Sequence, residues 1–147
     1  MKALIIILIF ISLLQTTILP LDLILIILIC RSFIRVGREN LLLAFIFGLL
    51  ISHLSLTPVG LYSILYLILV SITQTLSKSR FSNLLTAIAL GFIFLLANEI
   101  VSSILRGTSL QIFPKVLIES ILAVPIFYSL KMWEERFVAR GDIKLKI

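Results

Sequence analysis

A 147-residue chain that is 61% hydrophobic, with a mean hydropathy of +1.24, carries more apolar surface than a water-soluble globule of this size encloses, since soluble domains run nearer half apolar. Its apolar runs are long and separated by short charged clusters, which excludes the alternating strands of an outer-membrane barrel and makes the helix the spanning element. The net charge of +6 does not mark a nucleic-acid binder, because the basic residues are scattered without a continuous basic face, and the one cysteine, Cys30, excludes an internal disulfide.

The expected architecture is an all-α integral membrane protein, one transmembrane domain over 1–147 with about six transmembrane helices arranged as three hairpins. Residues 3–19 follow Lys2 as a secretory signal would, yet no small-x-small cleavage site comes after them, so they are read as an uncleaved first span. Pro20 breaks that helix. The second span, 21–36, starts with Asp22, where the helix dipole favours a carboxylate, and ends in Arg31, Arg35 and Arg38. Further spans are expected at 40–55, 59–77, 83–105 and 114–132, leaving 133–147 as a short basic cytoplasmic tail. Several are shorter than the roughly 20 residues that a ~30 Å hydrocarbon core requires. Snorkelling Lys and Arg, or local thinning of the bilayer, would absorb the deficit.

Six spans sort the cations sharply. Lys2, Arg31, Arg35, Arg38, Lys78, Arg80, Lys131, Arg136, Arg140, Lys144 and Lys146 fall on one side and only Arg106 and Lys115 on the other. Short cytoplasmic loops retain positive charge during insertion, so both termini are expected in the cytoplasm and the hairpin tips near 20, 56 and 110, each with a proline (Pro20, Pro58, Pro114), outside.

The stretch 44–66 organises the chain. Ala44, Gly48 and Ser52 recur every four residues and put small side chains on one helix face, where another helix can approach closely. His53, Ser55 and Thr57 crowd polar groups into a turn, Pro58 lacks an N–H that a first helical turn leaves unpaired anyway, and Gly60 follows. Ala87 and Gly91 offer a second small-residue surface in the fifth span, so Ala44, Gly48, Ser52, Gly60, Ala87 and Gly91 are the candidates for helix packing or a partner face.

The order Gly48, Leu49, Leu50, then Ser55, a short turn and Gly60-Leu61 resembles the MreD family of rod shape-determining proteins of bacterial inner membranes. The family has Gly-Phe where this chain has Ala44-Phe45, an Asp at Ser52 and a turn Gly at Leu56. The start of the second span, with Pro20 and Asp22, is also similar to that family. The resemblance implies a membrane scaffold that works with MreC and, directly or indirectly, with the MreB filament and the wall-synthesising polymerase and transpeptidase in lateral wall growth.

Two acids lie within spans, Glu99 and Glu119, at similar depth below the same side. A carboxylate in hydrocarbon is costly and needs a partner or a bundle interior. Ser102 and Arg106 share a helix face with Glu99, and Asn98 and His53 lie at comparable depth, so His53, Asn98, Glu99, Ser102, Arg106 and Glu119 form an expected intramembrane polar seam. That seam either ties helices together or binds a partner's helix or a small polar ligand. Neither a metal site nor a Ser/His/Asp set can be assembled from a single His, and Glu134, Glu135 and Arg136 lack the spacing and histidines of a membrane protease, so they read as a solvated helix end. The function expected is therefore non-enzymatic, without cofactor or nucleic acid and with membrane lipid as its surroundings. It is that of an inner-membrane component of the cell-shape machinery. The alternative is the substrate-binding membrane subunit of a vitamin or metabolite transporter, with a ligand pocket near Glu99, Glu119 and His53.

Overall fold

The computed structural model describes residues 2–17, 21–78, 84–106 and 112–138. Pro20, Arg80, the hairpin tip expected near 110 and residues 139–147 lie outside the described residues. Six α-helices follow one another: α1 (Lys2–Thr17), α2 (Leu23–Ile34), α3 (Arg38–Leu54), α4 (Leu61–Lys78), α5 (Leu84–Arg106) and α6 (Ile112–Trp133), the last running into a π-helical turn, Glu134–Val138. No strand occurs among the described residues.

The bundle is built around α2. Its first eight residues are all apolar, so no face of this helix prefers water. It packs against all five other α-helices and buries every residue from Ile24 to Phe33. Arg31 goes in with the rest, its side chain 4% exposed and 3.6 Å from the Glu39 carboxylate, so the basic end expected of this helix is partly internal. At the same end Arg35 pairs with Glu134 at 3.4 Å, which draws Glu134 out of the solvated end expected for it. Ser77 on α4 donates to the Phe33 carbonyl and Gln74 to the Gly37 carbonyl, which clamps the α2–α3 connection against the end of α4.

Large apolar side chains cover the outside of the bundle, among them Ile6 and Phe10 on α1, Leu42 and Ile46 on α3, Ile64 on α4, Ile104 on α5 and Ile121 on α6, each more than half exposed. The interior holds Ser12, Gln15, Asn98, Ser102 and Glu119 instead. Two segments, Leu61–Lys78 and Pro114–Arg136, are long and apolar enough to cross a membrane, by length and composition; Leu4–Thr17, Leu23–Ile34 and Ile88–Ile104 are shorter apolar helices.

The α3–α4 hairpin is the tightest contact. Ala44, Gly48 and Ser52 are all buried against α4, and a Cβ added to Gly48 would stand 2.5 Å from Ser63 Cα and 2.7 Å from Ser63 N. Hydrogen bonds hold the approach: Ser63 Oγ donates to the Phe45 carbonyl at 3.1 Å, and the Tyr62 N–H, in the first turn of α4, donates to Ser52 Oγ at 3.2 Å. α3 ends in a Schellman motif, with Thr57 N–H on the Ser52 carbonyl, Leu56 N–H on the His53 carbonyl, and Leu56 itself in the left-handed region at φ 52°. Leu56 is 95% exposed, so nothing packs on its side chain to offset a conformation that costs an L-residue about 1–2 kcal/mol. Leu56→Gly is therefore expected to raise stability by about 1 kcal/mol, once the greater freedom of a glycine in the unfolded chain is deducted. Denaturant titration of the purified protein in detergent measures it, and an unchanged or lower midpoint would contradict the strain.

The other small residues have different roles. Gly60 is not a packing residue: its φ of +94° serves the turn before α4, and nothing lies within 4 Å of where its Cβ would be. Gly91 is buried but not closely approached either, again with nothing within 4 Å. It borders a cavity of about 20 Å³ shared with Cys30, Leu95 and Ala123. Gly91→Ala should accordingly fit and gain about 1 kcal/mol from helix propensity, read as a higher melting temperature. A loss would mean that a partner helix seats on this face. The side chain of Ala87 is outside the described residues.

Candidate functional site

At the end of the bundle where α1 finishes and α2 starts, five helices bring polar side chains to one place. The sequence makes α2 begin at Leu23, after a residue whose side chain does not cap it: Asp22 makes no capping hydrogen bond and turns its carboxylate inward. There Oδ1 accepts from Gln15 Nε2 of α1 at 3.0 Å, and Oδ2 accepts from Asn98 Nδ2 of α5 at 2.6 Å. The N–H of Asp22, one of the donors that a helix start leaves unpaired, donates to Glu119 Oε1 of α6 at 2.8 Å. Gln15 Oε1 accepts the Ile24 N–H at 3.2 Å, so one amide side chain holds both the acid and the backbone behind it.

Lys115, one turn before Glu119 on α6, puts its ammonium among three carboxylates: Glu99 Oε2 at 2.5 Å, Asp22 Oδ2 at 3.5 Å and Glu119 Oε1 at 3.9 Å. The side chains of Lys115, Glu99 and Asp22 are 22%, 19% and 13% exposed and that of Glu119 only 1%, so the group is nearly closed. α4 closes it from below. Tyr62 and Tyr66 lie edge to face with ring centres 6.0 Å apart, and the Tyr62 hydroxyl donates to Ser102 Oγ at 3.3 Å. The Tyr66 hydroxyl is fully buried beside Gln15. Asn98 Oδ1 is likewise buried without a hydrogen-bond partner among the described residues.

Of the seam read from the sequence, Asn98, Glu99 and Glu119 do come together. Ser102 bonds Tyr62, and Glu99 takes Lys115 of α6 as a partner. The side chain of Arg106 is outside the described residues. His53 does not join: it is exposed on the last turn of α3, away from the acids. Sequence reasoning missed the hub, Asp22, along with Gln15, Lys115 and Tyr66. Asp22 passed as an acid that suits a helix start and Lys115 as a topological charge. The signal was present: folding six helices up and down brings residues 15, 22, 62, 99 and 115 to one end.

Comparison with protein-family models, curated proteins and solved structures finds no match for this chain.

Two cavities lie along the helices. One is the small void at Gly91, and the other is an apolar groove of about 370 Å³ lined by Leu8, Ile27, Pro125, Leu130 and Trp133 with neighbouring residues of α1 and α6. The cluster, by contrast, is polar and mostly buried. Chemically it is a lock: ion pairs and amide bonds pin the start of α2 to α1, α5 and α6, and breaking a buried pair on one side costs about 3–5 kcal/mol.

Proposed function

We propose that the chain is a non-enzymatic, multi-pass scaffold of the MreD type in the inner membrane of a bacterium, part of the machinery that directs lateral cell-wall elongation, with both termini in the cytoplasm. MreC is the expected direct partner. The MreB filament and the wall-synthesising polymerase and transpeptidase follow directly or through it.

Two features support the membrane half of this reading. Large apolar side chains face outward on α1, α3, α4, α5 and α6 while Asp22, Glu99, Lys115 and Glu119 are mostly buried, and exposed apolar surface of this extent marks a membrane or protein interface. α2 has only 12 residues, too few for a ~30 Å core, but a helix enclosed by protein does not have to match the lipid around it. Burial therefore replaces the snorkelling or thinning expected for this span.

The α3–α4 hairpin is the observation that carries the family half. Gly48 sits where backbones touch, Ser52 accepts the Tyr62 N–H in the first turn of α4 as an Asp carboxylate also would, and Leu56 holds the left-handed position that suits the turn glycine of the family. Gly48, Gly60 and two of the departures, Ser52 and Leu56, thus have a job in the hairpin.

The experiment joins topology to shape. Reporters fused after residue 147 and within 78–82 should be cytoplasmic, and one within 108–112 external. Expression in a rod-shaped bacterium depleted of its own MreD, together with the cognate MreC, should restore rods, and tagged chain should retain MreC in detergent. An external C-terminus would refute the six-span arrangement; spherical cells despite membrane insertion and MreC present would refute the function.

A further inference from the structure

We propose that the tip of the α3–α4 hairpin, with the exposed side chains of Leu56 and Val59, is immersed in the outer headgroup layer of the bilayer and anchors the hairpin there. The inference rests on the membrane half of the reading above and goes beyond it, since a loop on the outside would ordinarily stand in water.

Length is the first reason. α3 has 17 residues and α4 has 18, which makes them about 25 and 27 Å long, against a hydrocarbon core of ~30 Å. Their other ends are level and charged. α3 starts at Arg38 and α4 ends at Lys78, both exposed, and Gln74 near the end of α4 donates to the carbonyl of Gly37 at 3.0 Å. Those cations belong at the cytoplasmic headgroups. With them there, the turn at 55–60 lies at the outer boundary of the core; snorkelling by both cations would lift it only into the interfacial layer, which is about 5–8 Å deep. Tilt would draw it deeper.

The side chains are the second. No Asp, Glu, Lys or Arg occurs from 40 to 77, and the turn presents apolar groups instead: Leu56 is 95% exposed and Val59 77%, with Pro58 exposed between them. Leu56 stands in the left-handed region, at φ 52°, where a glycine would be unstrained. Strain held at so exposed a position points to a use for the side chain. Water offers a leucine none, whereas the headgroup layer takes up its apolar surface.

The backbone is the third. A turn can leave water only where its own polar groups are paired. Here the N–H groups of Ser55, Leu56 and Thr57 donate to the carbonyls of Ile51, His53 and Ser52, the Thr57 hydroxyl also donates to the Ser52 carbonyl, and Pro58 has no N–H to satisfy. The exposed His53 side chain meets the water and phosphates that the headgroup layer retains.

The test sets the tip against lipid, with the purified full chain in phosphatidylcholine vesicles whose chains carry bromine either near the headgroup or near the chain end. Trp133 is the one tryptophan, so Leu56→Trp and Ile68→Trp are each made together with Trp133→Phe. Ile68, half-exposed near the middle of α4, reports the hydrocarbon core. The probe at position 56 should lose about twice as much emission to bromine near the headgroup as to bromine near the chain end, and the probe at 68 the reverse. A probe at 56 that iodide quenches from the water and neither lipid quenches would overturn the proposal, and with quenching by lipid at 68 it would leave the membrane reading intact. A probe at 56 that neither iodide nor lipid reaches would also overturn it and give the tip to a second copy of the chain. No quenching by lipid at 68 would overturn both. Val59→Trp, made in the same way, must report the same depth, and it decides alone should Leu56→Trp fail to fold.

Discussion

Gly48→Leu should be among the most damaging single substitutions in the chain, costing about 3 kcal/mol or more and leaving little folded protein after extraction in detergent. The reason is local and geometric. Ser63 Cα, Ser63 N and the Tyr62 carbonyl carbon would all lie within 3 Å of a new Cβ, and these are backbone atoms that no rotamer change moves aside. Overpacking a close core contact costs about 1–3 kcal/mol even where side chains yield, and here the two helices must separate. Separation would also lengthen the Ser63–Phe45 and Tyr62–Ser52 hydrogen bonds, each worth about 1 kcal/mol. Gly48→Ala should fall part-way, since its better helix propensity returns about 1 kcal/mol. Thermal unfolding of the three proteins should rank glycine above alanine above leucine. A leucine variant that melts with the wild type would mean that α3 and α4 are further apart than described, and that the small-residue face serves another molecule.

That contact was legible because it is written in one helix. Ala44, Gly48 and Ser52 share a face by spacing alone, and Pro58 and Gly60 punctuate the chain where α4 must start. Helix ends were readable for the same reason, since runs of Leu and Ile stop at Arg, Lys, Pro or Gly. The polar cluster is different. Its bonds join Asp22 to Glu119 and to Asn98 across 97 and 76 residues, and no periodicity within a helix reports such a pair. Counting depth brought Glu99 to Glu119 of the adjacent helix, and spacing added Ser102 and Arg106 of its own, but neither reports that Lys115 bonds Glu99. Gly91 shows the converse error. A small residue on an apolar helix suggests a close approach, yet its neighbours Leu95, Cys30 and Ala123 leave a void where a methyl group would fit. Composition records that a side chain is small, and only packing records whether anything took the space.

Lys115→Met should cost about 3–5 kcal/mol, because it withdraws the one ammonium that the described residues place among Asp22, Glu99 and Glu119 and leaves their carboxylates facing one another out of water. Glu99→Gln alone should be mild, about 1 kcal/mol: an amide oxygen still accepts from the ammonium, and removing one negative charge eases the repulsion that remains. The pair carries the argument. Glu99 makes the shortest contact to Lys115, 2.5 Å, and adds to the charge that the lysine offsets. Removing that charge should then relieve much of the damage done by Lys115→Met, and the double variant should be more stable than the sum of the two losses by about 1–3 kcal/mol. The cycle is read from denaturant midpoints in choline buffer, so that no inorganic cation stands in for the missing ammonium. Additive losses would show that Lys115 and Glu99 do not meet, and the centre of the cluster would then lie with Asp22 and Glu119 alone. A Lys115→Met protein as stable as the wild type would go further: α6 would not be held to α2 by charge at all, and the buried Glu119 would keep its place through the Asp22 N–H.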